Sequence, residues 1–470
     1  MLTYLIAPRL WRYTPTVFIS LMLAGCSSLD ATDNISQTAR LASTRVDSPA
    51  AKAWSRPIEE RSIAWDGTTA LRADAALLVA IQNNPPLRIS LSKIVERRAD
   101  YVQSELLPNP TIGFGIGFAV DGLSGAPAMA QGLQALTWLW TRPDRIAAAE
   151  AELQEAILTA ASDTVSLAAE IGTAHAKVIA AQHLLAFDVA NVDIARRNLN
   201  LVHDLHEAGE ASQLDVNRAT IDMQTGRSTV VFSTRELEQQ QLALLESMGW
   251  PDHDTRWRAV DQALPFPIGD ERSLLRLAAI QRLDLTVAEQ HIRRQLAGLS
   301  LAGTRRLPKV DFTLGWQQNF SGRDAVVPGA MISIPILDNG GPAIAKAAAQ
   351  LEQARLTWID MANQIAYEVR VNMSQWKQAA QQLRITQEGI IPAANAAVVQ
   401  SQAAYNAGVT TLVVLLRAQE ALIKAEQSLV RHQLSEAVSL VELRRAVGGT
   451  FDRLPAETLA IEHPREGDAS

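Results

Sequence analysis

A single cysteine, Cys26, occurs in the 470 residues, so no disulfide framework holds the chain together. Beyond the N-terminus no uninterrupted apolar run reaches about 18 residues, so no spanning helix is expected there and any bilayer crossing falls to strands. Aromatic residues are only 5% of the total, and 43 basic against 50 acidic residues leave a net charge of −7. There is no basic block and no basic face interleaved with aromatics, which argues against nucleic-acid binding. No nucleophile–base pair stands out. The glycines of Gly113-Phe114-Gly115-Ile116-Gly117 lack the following helix and the Lys-Ser/Thr of a phosphate loop. The chain reads as no enzyme, with no cofactor, and is long enough for two or three ordinary domains.

The lone cysteine has an informative position. Residues 1–25 carry Arg9 and Arg12, then an apolar run from Val17 to Leu23, then Ala24 and Gly25. A basic start, a short apolar core and small residues describe a secretory signal. Leu23-Ala24-Gly25-Cys26 resembles the lipobox of bacterial lipoproteins, which implies acylation (palmitate among the chains) at Cys26. Ser27 follows, and no Asp stands there to suggest inner-membrane retention.

From Pro110 to Val120, large apolar residues (Ile112, Phe114, Ile116, Phe118, Val120) alternate with small ones (Thr111, Gly113, Gly115, Gly117, Ala119). A period of two reads as a strand with one apolar and one slim face. The pattern returns as Val310, Phe312, Leu314 and Trp316 alternating with Asp311, Thr313, Gly315 and Gln317. Second strands are expected near Leu133–Trp140 and Gly329–Ile336, with Asp121 to Gln131 as a loop. Almost everything else reads as helix. After Thr141-Arg142-Pro143-Asp144, a plausible helix start, no proline occurs up to His206. Ile171, Val178, Leu185, Val192 and Leu199 fall seven apart, beside Leu167, Ala174, Ala181 and Ala195, a row that Asp188 interrupts. That is a coiled-coil seam on a rod of about 95 Å at about 1.5 Å per residue. Pro392 is expected to kink its counterpart in the second half. Leu415, Leu422 and Leu429 repeat the seven-residue spacing in the last helix, which Gly448-Gly449 caps.

The segments are a signal (1–25), an acylated flexible leader (26–70), a first repeat (71–250), a crossing segment (251–270), a second repeat (271–449) and a polar tail (450–470). Each repeat runs helix, strand, strand, long helix, short break, long helix. Four strands cannot close a barrel, and an open edge in lipid costs several kcal/mol per unpaired backbone group. Three copies supply twelve strands, an even number within the usual bacterial range. The fold class is therefore mainly α with a membrane β-barrel, closed as a homotrimer.

The ordered set of Leu107-Pro108-Asn109-Pro110, the breaks at Ala208-Gly209 and Tyr405-Asn406-Ala407-Gly408, and the lipobox resembles the TolC family of outer-membrane efflux proteins, in its lipoprotein branch. The resemblance covers nearly all of residues 70–450. It implies a lipid-anchored trimer with a periplasmic α-barrel, docked to a periplasmic adaptor and an inner-membrane RND-type pump, and serving as a passive exit duct. Metal-cation efflux and type I secretion are the alternatives within that reading, and a periplasmic coiled-coil adaptor or structural lipoprotein the alternative outside it. By the same resemblance Gly209 and Gly408 mark the tips that meet the adaptor. Asp215 and Val414, six residues past each glycine, and Arg218 and Arg417, nine past, are the candidates for the entrance constriction. Asp215 also stands three residues before Arg218, the spacing of a helix-surface ion pair. His203 and His206, with Asp204 and Glu207, have ligand types at a spacing that could hold a transition metal, but a solvated helix face is the better reading, and no metal is expected.

Overall fold

The computed structural model describes residues 28–46, 65–118, 126–261, 270–319 and 321–452. The signal segment, Cys26, most of the far tail and part of the crossing segment lie outside them. The chain divides into two compact units. One holds the residues up to Asn34, Ser92–Ile157 and Val287–Trp358; the other holds Ile35–Leu91, Leu158–Thr286 and the residues from Ile359 onward.

The first unit carries four strands, β1 (Thr111–Ile116), β2 (Ala128–Ala135), β3 (Lys309–Gln318) and β4 (Asp324–Ser333). They form one antiparallel sheet in sequence order, so the hairpins of the two repeats join through β2 and β3. The register decides what each face presents. Phe114 pairs with Ala130, Ala130 with Trp316, and Trp316 with Val326; Ile112 pairs with Gly132 and Gly132 with Leu314. Directly opposed side chains share a face, so β2 contributes small residues between the bulky ones of β1 and β3. That face is open: Phe114 is 82% exposed and Ile112 64%. The opposite face carries Thr111, Gly113, Gln131, Thr313, Gln317 and Gly329, with Met129 and Leu133 among them. In the second hairpin the Asn319 side chain accepts from the backbone N–H groups of Ser321 and Arg323, both at 3.0 Å, and Gly322 takes φ +72°.

The strand limits differ from the expected ones. β2 begins inside the expected loop, and Trp138-Leu139-Trp140 belong to a helix. Thr137 fixes that switch: its Oγ1 accepts from Val310 N–H at 3.1 Å, while its carbonyl accepts from Thr141 Oγ1 at 3.1 Å. β4 likewise begins five residues before Gly329 and ends before Ile336.

The helices are α1 (Thr32–Val46), α2 (Ala73–Asn83), α3 (Pro85–Glu105), α4 (Trp138–Glu207), α5 (Gln213–Ser247), α6 (Glu271–Gln281), α7 (Leu283–Gly303), α8 (Gly341–Ile385), α9 (Ile391–Asn406) and α10 (Leu412–Ala446). Within the leader, α1 is ordered by packing: Thr38, Ala39 and Ala42 are buried. Pro143 lies inside α4 rather than at its start. α4 also contains a window of mean hydropathy 1.3, apolar enough by composition to cross a bilayer, against expectation. Its many alanines raise that figure, while Ile157, Leu158, Ile171 and Val178 on the same helix are buried. Pro392 does perturb its helix, as a π-turn at Thr386–Ile390 immediately before α9. There Thr386 donates to the Gln382 carbonyl at 2.9 Å and bonds His432 Nδ1 at 2.9 Å.

The core of the second unit gathers Leu71, Ile81, Ile171, Val178, Leu244, Leu245, Met248 and Trp257. Each such aliphatic side chain contributes on the order of 1.5–3 kcal/mol when fully buried. The start of the crossing segment packs here through tryptophans: Trp65 meets Trp250 and Trp257 edge-on, at centroid distances of 6.2 and 5.5 Å. A parallel bridge joins Leu71 to Ala259, with Leu71 N–H donating to the Arg258 carbonyl at 2.8 Å. The helical run that opens the second repeat is two helices, α6 and α7, broken at Arg282, just as Asn84 breaks α2 from α3.

Candidate functional site

Both helical hairpins of the second unit turn on a glycine that a side chain would strain. Gly209 takes φ +80° and Gly408 φ +70°, and both face open space. Their hydrogen bonding matches: Gly209 N–H donates to the His206 carbonyl at 2.9 Å, and Gly408 N–H to the Tyr405 carbonyl at 3.0 Å. Glu210 and Val409 then donate back to Leu205 and Ala404, which satisfies the last carbonyls of α4 and α9.

The turns part company at the start of the returning helix. Ser212 caps α5 and Asp215 completes a capping box: the Asp215 carboxylate accepts from Ser212 N–H at 3.0 Å and from its hydroxyl at 2.6 Å. The Ser212 hydroxyl bond, joined by the backbone bond, holds the Asp215 carboxyl below the usual carboxylate range; Arg218 adds a smaller electrostatic pull. At the equivalent places stand Thr411, whose side chain makes no capping bond, and Val414, which is exposed.

Asp215, Arg218 and Arg417 line one groove of about 750 Å³ within the second unit, between the α4–α5 and α9–α10 hairpins. Glu210, Asp222 and Glu420 line it too, so carboxylates outnumber guanidinium groups there. Val414 is not among its lining residues. His203 and His206 are not brought together as ligands. His203 Nδ1 lies 3.4 Å from the Glu207 carboxylate, whereas His206 Nδ1–H donates to the Ala211 carbonyl at 2.8 Å and so braces the turn.

The same groove is lined by a residue that had read only as an interruption of the heptad row. Asp188 is 5% exposed. It accepts from Ser233 Oγ on α5 and from Gln427 Nε2 on α10 at 3.3 Å, so one carboxylate ties together three helices from both repeats. Nearer the tips Asn198 Nδ2 donates to Gln419 Oε1 at 3.2 Å, a second bond between the two hairpins. A charged residue in an otherwise apolar seven-spaced row was the available signal for Asp188.

The chain thus combines a bare sheet with an open apolar face and two long helical hairpins that turn on glycine. Residues 274–449 match the family described as outer membrane efflux protein, and the chain has the fold of that family's TolC-type channels. The outer-membrane channel OprN superposes with a TM-score of 0.69 at 20% identity, over 81% of this chain and 90% of that one. VceC of Vibrio cholerae superposes with a TM-score of 0.68 at 17% identity, over 81% and 97%. Among curated proteins, the toluene efflux pump outer membrane protein TtgF of Pseudomonas putida is 25% identical over 305 residues, 59% of this chain and 61% of its own length. The pyoverdine export outer membrane protein OpmQ of Pseudomonas putida is 23% identical over 310 residues, 61% and 62%. The matched stretch thus spans about three fifths of the length of these relatives.

Proposed function

We propose that this protein is the outer-membrane exit duct of a tripartite efflux system, conducting substrates passively from the periplasm to the exterior. The observation that carries the reading is the sheet. Among the described residues β1 and β4 each have one unpaired edge, while Ile112, Phe114, Leu314 and Val326 expose an apolar face. A hydrocarbon surround accommodates the face but not the edges, so edges must meet edges of other copies. Three copies close twelve strands, with the slimmer, more polar face toward the lumen.

In the same reading Cys26 carries lipid that anchors the trimer to the outer membrane, and the helical hairpins form a periplasmic barrel. The turns at Gly209 and Gly408 meet a periplasmic adaptor, which couples the duct to an inner-membrane RND-type pump supplying the energy. Asp215, Arg218 and Arg417 stand at the entrance and bias ion passage by charge.

Single-channel recording of the detergent-purified full chain in a planar bilayer tests the duct. Stepwise currents, with a trimer by mass in detergent, are the expected result. A monomer that gives no current, even after Gly209 and Gly408 are replaced to loosen the tips, overturns it. Incorporation of labelled palmitate into the wild type but not Cys26→Ala tests the anchor separately.

A further inference from the structure

The groove between the α4–α5 and α9–α10 hairpins has the dimensions of a ligand site. Its volume, about 750 Å³, falls within the roughly 300–1,000 Å³ usual for small-molecule pockets. Along α4 it runs from Asp188 to Leu205, about 25 Å at about 1.5 Å per residue. So slim a groove suits a chain rather than a compact ring system. Both hairpins give it aliphatic walls: Ile194, Val202 and Leu205 come from α4, and Leu412, Leu416 and Ile423 from α10.

The charge on the groove is negative. Asp188, Glu210, Asp215, Asp222 and Glu420 line it against Arg218 and Arg417. Lys424 adds a cation from outside the lining and lies 2.6 Å from the Glu420 carboxylate. Five carboxylates therefore stand against three cations. The most buried of the five has no countercharge. Asp188 is 5% exposed, and its partners, the Ser233 hydroxyl and the Gln427 amide, are both neutral. A buried charge held only by neutral groups is costly. The two guanidinium groups stand toward the turns. Arg218 is separated from Ser233 by about 22 Å of α5, and Arg417 from Gln427 by about 15 Å of α10. The groove thus has an anionic inner end, an aliphatic run, and its arginines farther out.

We propose that this groove binds a linear amphiphilic cation, an alkyl chain ending in an ammonium group, one per chain. The ammonium lies beside Asp188, with Asp222 and Glu420 adding attraction at longer range. The alkyl chain runs along Ile194, Ile423, Val202 and Leu416 toward the turns. The inference stands on the groove of a single chain and does not rest on the exit-duct reading.

The test is equilibrium dialysis of the full chain in a nonionic detergent against radiolabelled decyltrimethylammonium, with uptake by protein-free micelles subtracted. The expected result is saturable binding of one cation per chain and no saturable binding of decyl sulfate, its anionic counterpart. Hexyltrimethylammonium should bind on the order of a hundredfold more weakly, as the loss of four buried methylenes requires. Asp188→Asn should weaken decyltrimethylammonium by about tenfold or more. Asp222→Asn should weaken it by about threefold, whereas Arg417→Gln should tighten it by about threefold. Asp222 and Arg417 are exposed, so these two carry the test if Asp188→Asn fails to fold. Opposite shifts from two exposed positions are not produced by a merely structural role. Saturable cation binding without channel current upholds the site and counts against the duct alone. Absence of saturable uptake by the wild type overturns the proposal and leaves the groove to a protein helix. Equal binding of decyl sulfate, or shifts in the same direction for Asp222→Asn and Arg417→Gln, overturns it too.

Discussion

The Asn84 side-chain amide donates to the carbonyl of Ser247 across 2.9 Å, tying the first helix break to the end of α5. One repeat later Arg282 does the same for α10, donating to the Ala446 carbonyl at 3.2 Å. Two residues past each acceptor is a glycine with positive φ, Gly249 at +73° and Gly448 at +101°. A Cβ on Gly249 would fall 2.6 Å from the Asn83 carbonyl, and one on Gly448 2.8 Å from Gln281 Cβ. The repeats therefore share a joint as well as an order of elements, although the polar residue at the joint has changed from Asn to Arg.

That joint separates two kinds of glycine substitution. Gly209→Ala meets open space and bears only the left-handed backbone, on the order of 1–2 kcal/mol. Gly249→Ala adds collision with the backbone of α2 and should cost about 3 kcal/mol or more. Denaturant unfolding of the two variants should rank them in that order. Equal losses would mean that the α2 end moves aside freely.

Asp188→Ala leaves the Ser233 hydroxyl and the Gln427 amide without their shared acceptor, and should destabilise the second unit by about 1–3 kcal/mol. Because the bonds link both repeats, the same variant should raise the open probability of reconstituted channels. Ser233→Ala, which keeps the α4–α10 bond, should have the smaller effect on opening. Single-channel recording beside thermal melts checks both.

The tip should respond unequally to loss of its caps. Ser212→Ala removes a capping box and should cost about 1 kcal/mol, whereas Thr411→Ala removes a residue that makes no side-chain cap and should cost a few tenths at most. Asp215→Ala therefore alters two properties together, the cap and the groove charge. Comparing it with Asp215→Asn, which keeps an acceptor but not the charge, isolates any change in cation preference.

Much of this was legible in the sequence because the strands show period two and the rods period seven on one chain. The register bears out the apolar face read from Ile112, Phe114, Leu314 and Trp316. Legibility ended where side chains act at long range. α1 packs through Thr38, Ala39, Ala42 and Ser43, whose spacing is helical but whose small or polar nature gives no hydrophobic period. The break at Asn84 announces itself through Pro85-Pro86, whereas the break at Arg282 has neither glycine nor proline and rests on Asp284 and Glu368, the latter far away in the chain. Asp215 was legible as an acid near a tip. Its bond to Ser212 instead of an ion pair with Arg218 depends on the cap geometry, since the serine hydroxyl and N–H lie within reach of the same oxygen.

His175 supplies a pH dependence whose sign follows from its surroundings. It is 3% exposed on α4, and its Nε2–H donates to the Leu71 carbonyl at 3.0 Å, beside the bridge to Ala259. Burial lowers its pKa below the model-peptide value near 6.5, and this outweighs the opposing pulls of the Leu71 carbonyl, Asp261 and Asp74. The unfolded chain therefore binds the proton more readily than the folded one. Stability from this group is fully present above about pH 6.5 and declines as pH falls through that value toward the lower folded pKa, then levels off. The melting midpoint should accordingly drop between about pH 7.5 and 5.5, by more than in a His175→Gln variant, which can still donate to Leu71 but cannot gain a proton. Equal slopes for the two proteins would place the acid sensitivity elsewhere and leave His175 as a hydrogen-bond donor only.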